Sequence, residues 1–304
     1  MIEDKNLSLQ PVIVIDASNL IYRMYYTYIN LSNSKGVMTG AIFGFFDMII
    51  NYVDKLQIKN VVLVWDTPSE YNWRLNLYPD YKKRRRIKNI TDTKKIEIKN
   101  NIIENQVKIY ELSKLLGFIN LKKMSYEADD LTGMLLKIYK NEVKIITMDK
   151  DYLQFVNDKR KVRVYRPGIG VRKGYKVYND AEVKNEFFVE PRQIVNLLAI
   201  AGDDGDDVPG IGGYAYKKAA VIINENKYST FTEQQKSDYE RNLILVDLFK
   251  VPGDLKLKDI EFNFPKFAEA QKILDELEIK KYMSVDFLRI NTREFKLHFM
   301  KKFL

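Results

Sequence analysis

The sequence predicts an α/β fold, with a central, mostly parallel sheet and helices on both faces. Two observations carry that prediction. Three short apolar runs, Pro11 to Asp16, Asn60 to Asp66 and Val143 to Asp149, are rich in β-branched residues, read as buried strands, and each ends in an aspartate. Stretches of helical periodicity separate them, and strands alternating with helices build parallel sheets. The expected division is an α/β core over residues 1–180 and a mainly helical region over 181–304.

After the first strand, Ala17 to Asn30 is helical, with Leu20, Ile21, Met24 and Tyr25 on one side. Asn33-Ser34-Lys35-Gly36 is a turn, and Thr39 to Val53 a second helix in which Gly40 and Gly44 allow close packing. Residues 67–105 break the pattern. Ten lysines and arginines lie from Arg74 to Lys99, including the run Lys82-Lys83-Arg84-Arg85-Arg86, with Trp73, Tyr78 and Tyr81 interleaved. Ile102 to Leu116 is amphipathic and ends at Gly117, a C-terminal cap. Phe118 to Met124 is a short strand. Ser125 is then the expected N-cap of a helix that starts with Glu127, Asp129 and Asp130 and continues through the apolar run Leu131 to Tyr139. Val162 to Tyr178 reads as a hairpin around Pro167-Gly168-Ile169-Gly170. Beyond Asp180 come helices from Glu190-Pro191 to Ala201, Ala215 to Asn224, Thr232 to Leu248 and Pro265 to Leu277, with Gly202 to Gly213 as a loop.

Composition narrows the chemistry. Hydrophobic residues are 46% and charged residues 30%, as in ordinary globular proteins. No apolar run reaches the ~18 residues of a membrane span, and the polar start Met1 to Gln10 is no secretory signal. The expectation is a cytoplasmic protein with no membrane partner. Cysteine is absent, which excludes disulfides, zinc–thiolate sites and thiol nucleophiles. His298 is the one histidine, so histidine-based catalysis or metal ligation would have to use a residue near the end of the chain. Any chemistry therefore falls to carboxylates, lysines, arginines and tyrosines. The formal charge of +9 points to a polyanionic partner such as nucleic acid.

The acids are placed unevenly. In a parallel sheet, Asp16, Asp66 and Asp149 project from the same edge, where ligands of such sheets bind. Asp151 follows Asp149, and Glu127, Asp129 and Asp130 open a helix. Acids favour the first turn of any helix, but this many in one crevice repel one another unless cations compensate. Without Cys or a usable His, those cations are hard ones, and an all-oxygen site suits Mg²⁺ or Mn²⁺. A second acidic knot, Gly202-Asp203-Asp204-Gly205-Asp206-Asp207, lacks the spacing and terminal Glu of a calcium-binding loop. It leads into Gly210, Gly212 and Gly213 and a helix with Lys217 and Lys218 near its start, a backbone suited to phosphate. The basic run pairs with phosphates, and its aromatics stack on unpaired bases.

Together the motifs resemble the 5′-nuclease family: flap endonucleases, the 5′→3′ exonuclease domain of bacterial DNA polymerase I, and stand-alone phage exonucleases with their ribonuclease H-type relatives. The ordered set is V-I-D at Asp16, V-W-D at Asp66, Y-K-x-x-R at Tyr81 to Arg85, E-A-D-D at Glu127 to Asp130, D-K-D at Asp149 to Asp151, and G-D-x-x-D-x-x-P-G at Gly202 to Gly210. The length looks like the stand-alone phage type. The resemblance implies a PIN-like core, a basic helical arch at about 70–105 and a helix–hairpin–helix element at about 195–224. It implies a first metal group of Asp16, Asp66, Glu127, Asp129 and Asp130, and a second of Asp149, Asp151, Asp203 and Asp206. Lys82 and Arg85 would contact the scissile phosphate, with Asp129 a catalytic carboxylate. Tyr81 would stack on the terminal base. Arg23, Arg74, Lys83, Arg84, Arg86, Gly210, Gly212, Gly213, Lys217 and Lys218 would bind nucleic acid, with K⁺ at the hairpin. Ala215 stands where the family has a hairpin glycine, so a distorted hairpin is expected.

The implied activity is Mg²⁺-dependent, two-metal hydrolysis of phosphodiester bonds, leaving 5′-phosphates, as an exonuclease or a flap endonuclease. The implied substrates are branched or 5′-ended DNA and RNA–DNA hybrid, acted on by a monomer. The tail Phe295 to Leu304 is a candidate docking segment for a sliding clamp or a single-strand binding protein. The alternative is a non-catalytic, structure-specific nucleic-acid binder on the same scaffold, against which the intact acids count. A D-x-D phosphatase would not continue from Asp151 into Tyr152-Leu153, and a small PIN-type ribonuclease would not need the C-terminal half.

Overall fold

A computed structural model describes residues 10–87, 93–168, 174–280, 287 and 289–303, without the side chains of residues 86, 87 and 94. The expectations for the Arg86 side chain, for Ile169 and Gly170 in the hairpin turn, and for Met1 to Leu9 and Leu304 at the termini lie outside the described residues. Seven strands form one sheet: β1 Val12–Asp16, β2 Val61–Val64, β3 Ile119–Leu121, β4 Val143–Ile146, β5 Val162–Pro167, β6 Tyr175–Tyr178 and β7 Ile260–Phe262. Their order is β6-β5-β4-β1-β2-β3-β7. The five central strands are parallel, and β6 and β7 close the edges antiparallel. Chain reversal beside β1, with β2 on one side and β4 on the other, makes the carboxyl end of β1 the crevice of the sheet.

Each central strand is buried on both faces, so its residues divide between two cores. Val12, Val14, Val62 and Val64 face helix α5 (Ala128–Ile138) and α7 (Ile194–Ala201), in one core with Leu131, Leu135, Leu197 and Leu198. Ile13, Ile15, Val61 and Leu63 face α1 (Ala17–Thr27), α2 (Gly40–Leu56) and α4 (Thr93–Leu115), with Leu20, Phe45, Ile49 and Leu112. The basic run forms the short helix α3 (Lys83–Ile87), and α6 is Asp180–Phe187. Helices α8 (Tyr216–Asn224), α9 (Glu233–Val246), α10 (Phe267–Glu276) and α11 (Arg293–Met300) complete the chain.

Several expectations shift. Helix α4 begins at Thr93, not Ile102, because its first two turns are polar and largely exposed and offer no apolar face to read. Strands β2 and β4 stop two and three residues before Asp66 and Asp149, which sit on the loops beyond. Ser125 is not the N-cap of α5; it holds a left-handed φ of 73°, and Glu127 caps the helix, its N–H donating to Asp130 Oδ2 at 3.1 Å. Strand β7 has three residues and is defined by pairing with β3, which no local pattern announces. Two aromatics of the tail, Phe295 and Phe299, are fully buried, and Phe299 stacks on Tyr139 and Phe262.

Helix α5 carries the acids and is set against the chain by Gly133. A Cβ there would fall 2.1 Å from the Leu248 carbonyl oxygen. Gly133→Ala is expected to lower stability by about 1–3 kcal/mol, read as a shift in the urea midpoint at unchanged slope. A neutral result would mean that α5 can slide.

Candidate metal and nucleic-acid site

All nine predicted carboxylates lie in one connected site at the carboxyl edge of the sheet. Asp16 ends β1 and caps α1, accepting from Asn19 N at 3.1 Å and Thr147 Oγ1 at 3.1 Å. Asp66 accepts from Ala128 N at 2.8 Å, which ties the loop after β2 to the start of α5, and its own N–H donates to Ser18 Oγ at 3.2 Å. Asp149 accepts from Asp151 N at 3.0 Å, a local turn that gathers the D-K-D carboxylates. Asp203 accepts from Gly205 N at 2.9 Å and from Lys150 Nζ at 2.8 Å.

Two groups are close enough to share ions. Glu127, Asp129 and Asp130 offer oxygens within 4.8 Å of one another, and so do Asp151, Asp203 and Asp206. These sets are all-oxygen, which suits Mg²⁺ or Mn²⁺. Asp130, however, has its oxygens taken. Oδ1 accepts from Arg74 Nη2 at 2.7 Å, and Oδ2 from Arg74 Nη1 at 2.9 Å, Trp73 Nε1 at 3.1 Å and the Glu127 amide. Its carboxylate is an anchor more than an open ligand. Asp129, by contrast, accepts one bond, from Asp130 N at 2.6 Å.

Arg74 must be corrected outright. It is 1% exposed, forked onto Asp130, and donates from Nε to the Leu245 carbonyl at 2.7 Å. No phosphate can reach it. Tyr81 is corrected too: its ring is buried and cannot stack on a base here, and its hydroxyl lies 2.8 Å from both Glu127 Oε2 and Asp206 Oδ2. Lys82 turns inward with φ of 53°; its ammonium pairs closely with Glu127 and lies 3.3 Å from Asp206. Arg85 reaches Asp206 at 3.1 Å. Lys83 and Arg84 are exposed, paired with Asp80 and with Asp204 and Asp207 respectively.

The other basic and glycine positions lie outside the carboxylates. Arg23 binds the Gly168 carbonyl. Gly212 and Gly213 are exposed with φ of 82° and 79°, and Lys217 and Lys218 are exposed on the first turn of α8. Gly210 packs against the Ala201 carbonyl, 2.7 Å from where a Cβ would sit. The expected distortion at Ala215 does not occur. Ala215 is the N-cap of α8 with φ of −78°, so no left-handed residue is required there. Sequence reasoning missed Lys150, Thr147 and Ser18; each is an ordinary polar residue whose role exists only through its neighbour in space.

Burial, then neighbouring negative charge, raises the pKa of Asp16, Asp129 and Asp151 well above the ordinary carboxylate value; Asp66 is also raised. For Asp206, burial is outweighed by Lys82, Arg85 and the Tyr81 hydroxyl, and its pKa is lowered. A raised folded pKa contributes stability below the unfolded value and loses it as pH rises towards and through the folded one, so at neutral pH these carboxyls cost the folded state stability. Asp129→Asn is therefore expected to raise the Tm in EDTA, by about 2–4 °C for about 1 kcal/mol, with a smaller gain in Mg²⁺. Arg74→Met leaves Asp130 buried and unpaired and should lose about 3–5 kcal/mol in chemical denaturation.

The family described as 5′-3′ exonuclease, N-terminal resolvase-like domain, matches residues 11–188. A 5′-3′ exonuclease of Aquifex aeolicus is 31% identical over 291 residues, covering 90% of this chain and 94% of its own. One of Bacillus subtilis is 30% identical over 293 residues, 88% of this chain and 93% of its own. In fold, the chain is similar to a bacteriophage T5 flap endonuclease in complex with DNA and metal ions, with a TM-score of 0.64 at 23% identity over 92% of this chain and 98% of that one. It is also similar to flap endonuclease-1 of Methanococcus jannaschii, with a TM-score of 0.62 at 18% identity over 97% and 92%. With the family matched over more than half its length and a relative above 30% identity along nearly all of it, the chain belongs to the 5′-3′ exonuclease family.

Proposed function

We propose that the protein is a Mg²⁺-dependent, structure-specific 5′ nuclease that hydrolyses phosphodiester bonds in branched or 5′-ended DNA and in RNA-primed hybrid, leaving 5′-phosphates. The observation that carries this reading is the juxtaposition of two carboxylate groups at one sheet edge with Lys82 and Arg85 against them. Glu127 and Asp129, with Asp16 and Asp66 beside them, would hold one ion, and Asp149, Asp151, Asp203 and Asp206 a second; Asp130 would fix the first group through Arg74. When bound, such ions supply Lewis acidity and a water of lowered pKa. The chain's own part is to bind and orient. Lys82 and Arg85 would take the phosphate oxygens and stabilise the charge that grows on them. To do so, Lys82 has to leave Glu127 and Asp206.

Exposed Lys217, Lys218, Gly212 and Gly213 would grip the duplex backbone, with K⁺ at that turn, and Arg23 would lie along another part of the substrate. A monomer acting in the cytoplasm, with a sliding clamp or single-strand binding protein as partner, belongs to the same reading. Among the described residues no helix is long and apolar enough to cross a membrane.

The deciding assay offers a 5′-flap, a nicked duplex and an RNA-primed hybrid, each with and without Mg²⁺, and maps the cuts. Cleavage is expected with Mg²⁺ alone. Asp129→Asn or Asp66→Asn should lower it about a hundredfold or more while binding to the flap is kept. Cleavage undiminished in EDTA would overturn the reading.

A further inference from the structure

The base of the basic segment is fastened to the acidic loop by contacts that the metal-binding carboxylates do not supply. Asp207 sits behind the site with a left-handed φ of 55°, a strained conformation for a residue with a side chain. Its Oδ2 accepts from the Arg84 main-chain N–H at 2.8 Å, and its Oδ1 pairs closely with Arg84 Nε. Arg84 Nη2 then reaches Asp204, at 2.6 Å to the carbonyl and 2.7 Å to Oδ1. Two residues before Arg84, Lys82 N donates to the Asp206 carbonyl at 2.9 Å. The Asp207 side chain is 12% exposed, whereas Arg84 is 49% exposed. The same carboxylate thus serves the N-terminal turn of α3 and the guanidinium that follows from it.

We infer that Asp207 and Arg84 form a latch that sets Lys82 and Arg85 at their working distance from the carboxylates. Asp207 is a positioning residue, and Arg84 serves the loop, not the substrate. Lys82, two residues before Arg84, pairs with Glu127 and Asp206, and Arg85, the next residue, reaches Asp206, while Asp206 and Asp207 are adjacent in the loop. Fixing Arg84 on Asp207 therefore fixes both neighbours relative to one wall of the site. The arch base keeps its place when phosphate replaces carboxylate on Lys82.

The inference rests on the nuclease reading for its kinetic arm, but a second arm needs no activity. Asp207→Gly removes the carboxylate and relieves the strained φ. Asp207→Asn keeps an acceptor oxygen for the Arg84 amide, and asparagine tolerates left-handed φ. In DNA-free protein, trypsin should cut within the Lys82–Arg86 run about tenfold faster in Asp207→Gly than in wild type, with Asp207→Asn recovering most of the protection and circular dichroism unchanged. On the 5′-flap, Asp207→Gly and Arg84→Ala should each lower kcat about tenfold with a smaller change in KM. Their double variant should be no worse than either single one. If Arg84 instead binds phosphate, Arg84→Ala raises KM, Asp207→Gly lowers it by removing a repelling acid, and the effects add; that outcome overturns the latch. Equal trypsin rates in Asp207→Gly and wild type also overturn it. Wild type without cleavage on any substrate would overturn the nuclease reading while leaving the trypsin comparison to judge the latch.

Discussion

Nine carboxylates gathered at one end of one sheet repel one another, and most of the local structure can be understood as a response. Burial makes the repulsion worse, because the protein interior screens charge poorly. Three kinds of compensation are present. Arg74 neutralises Asp130 permanently, in a fully buried fork. Lys82 and Arg85 lie on Glu127 and Asp206, in contacts that are partly open to solvent. Lys150 lies between Asp151 and Asp203 at 3.6 and 2.8 Å. Burial first, and neighbouring carboxylates second, still raise the pKa values of Asp16, Asp129 and Asp151.

The contrast between Asp130 and Asp129 follows from that constraint. They are neighbours on one turn of helix, yet one carboxylate has four donors and the other a single backbone bond. A buried ion pair with every oxygen satisfied is a weak source of net stability but very costly to break. Such a pair suits a frame. A carboxylate with vacant lone pairs, held in place by its neighbours, suits an exchangeable cation. Asp66 joins the two functions, since its bond to Ala128 N fastens the loop after β2 to the helix that carries both.

How much was legible depends on whether a residue acts through its sequence neighbours or through distant ones. The strand runs, their parallel arrangement and the clustering of Asp16, Asp66 and Asp149 follow from local pattern plus a general rule about α/β sheets. The hairpin at Val162 to Tyr178 was equally local. Ser125 misled because a serine ahead of acids resembles a cap, while its left-handed φ removes it from that position. Ala215 misled in the opposite sense: the residues with left-handed φ are Gly212 and Gly213, three and two positions earlier. The polar start of α4 and the three-residue β7 carry no periodicity strong enough to register.

Residue chemistry and order alone determined which chemistry is open to the chain, that of carboxylates with hard cations, since cysteine is absent and histidine nearly so. They also determined that a basic segment would be read beside those acids, because charge type and spacing survive without coordinates. Only the tertiary structure decided which bases are available. Arg74 and Arg84 are chemically alike in the sequence, ten residues apart. One is 1% exposed against Asp130 and the Leu245 carbonyl, the other sits at the surface on Asp204 and Asp207. The difference is desolvation and partner geometry, which depend on residues 56 to 171 positions away in the chain and therefore exist only once it has folded.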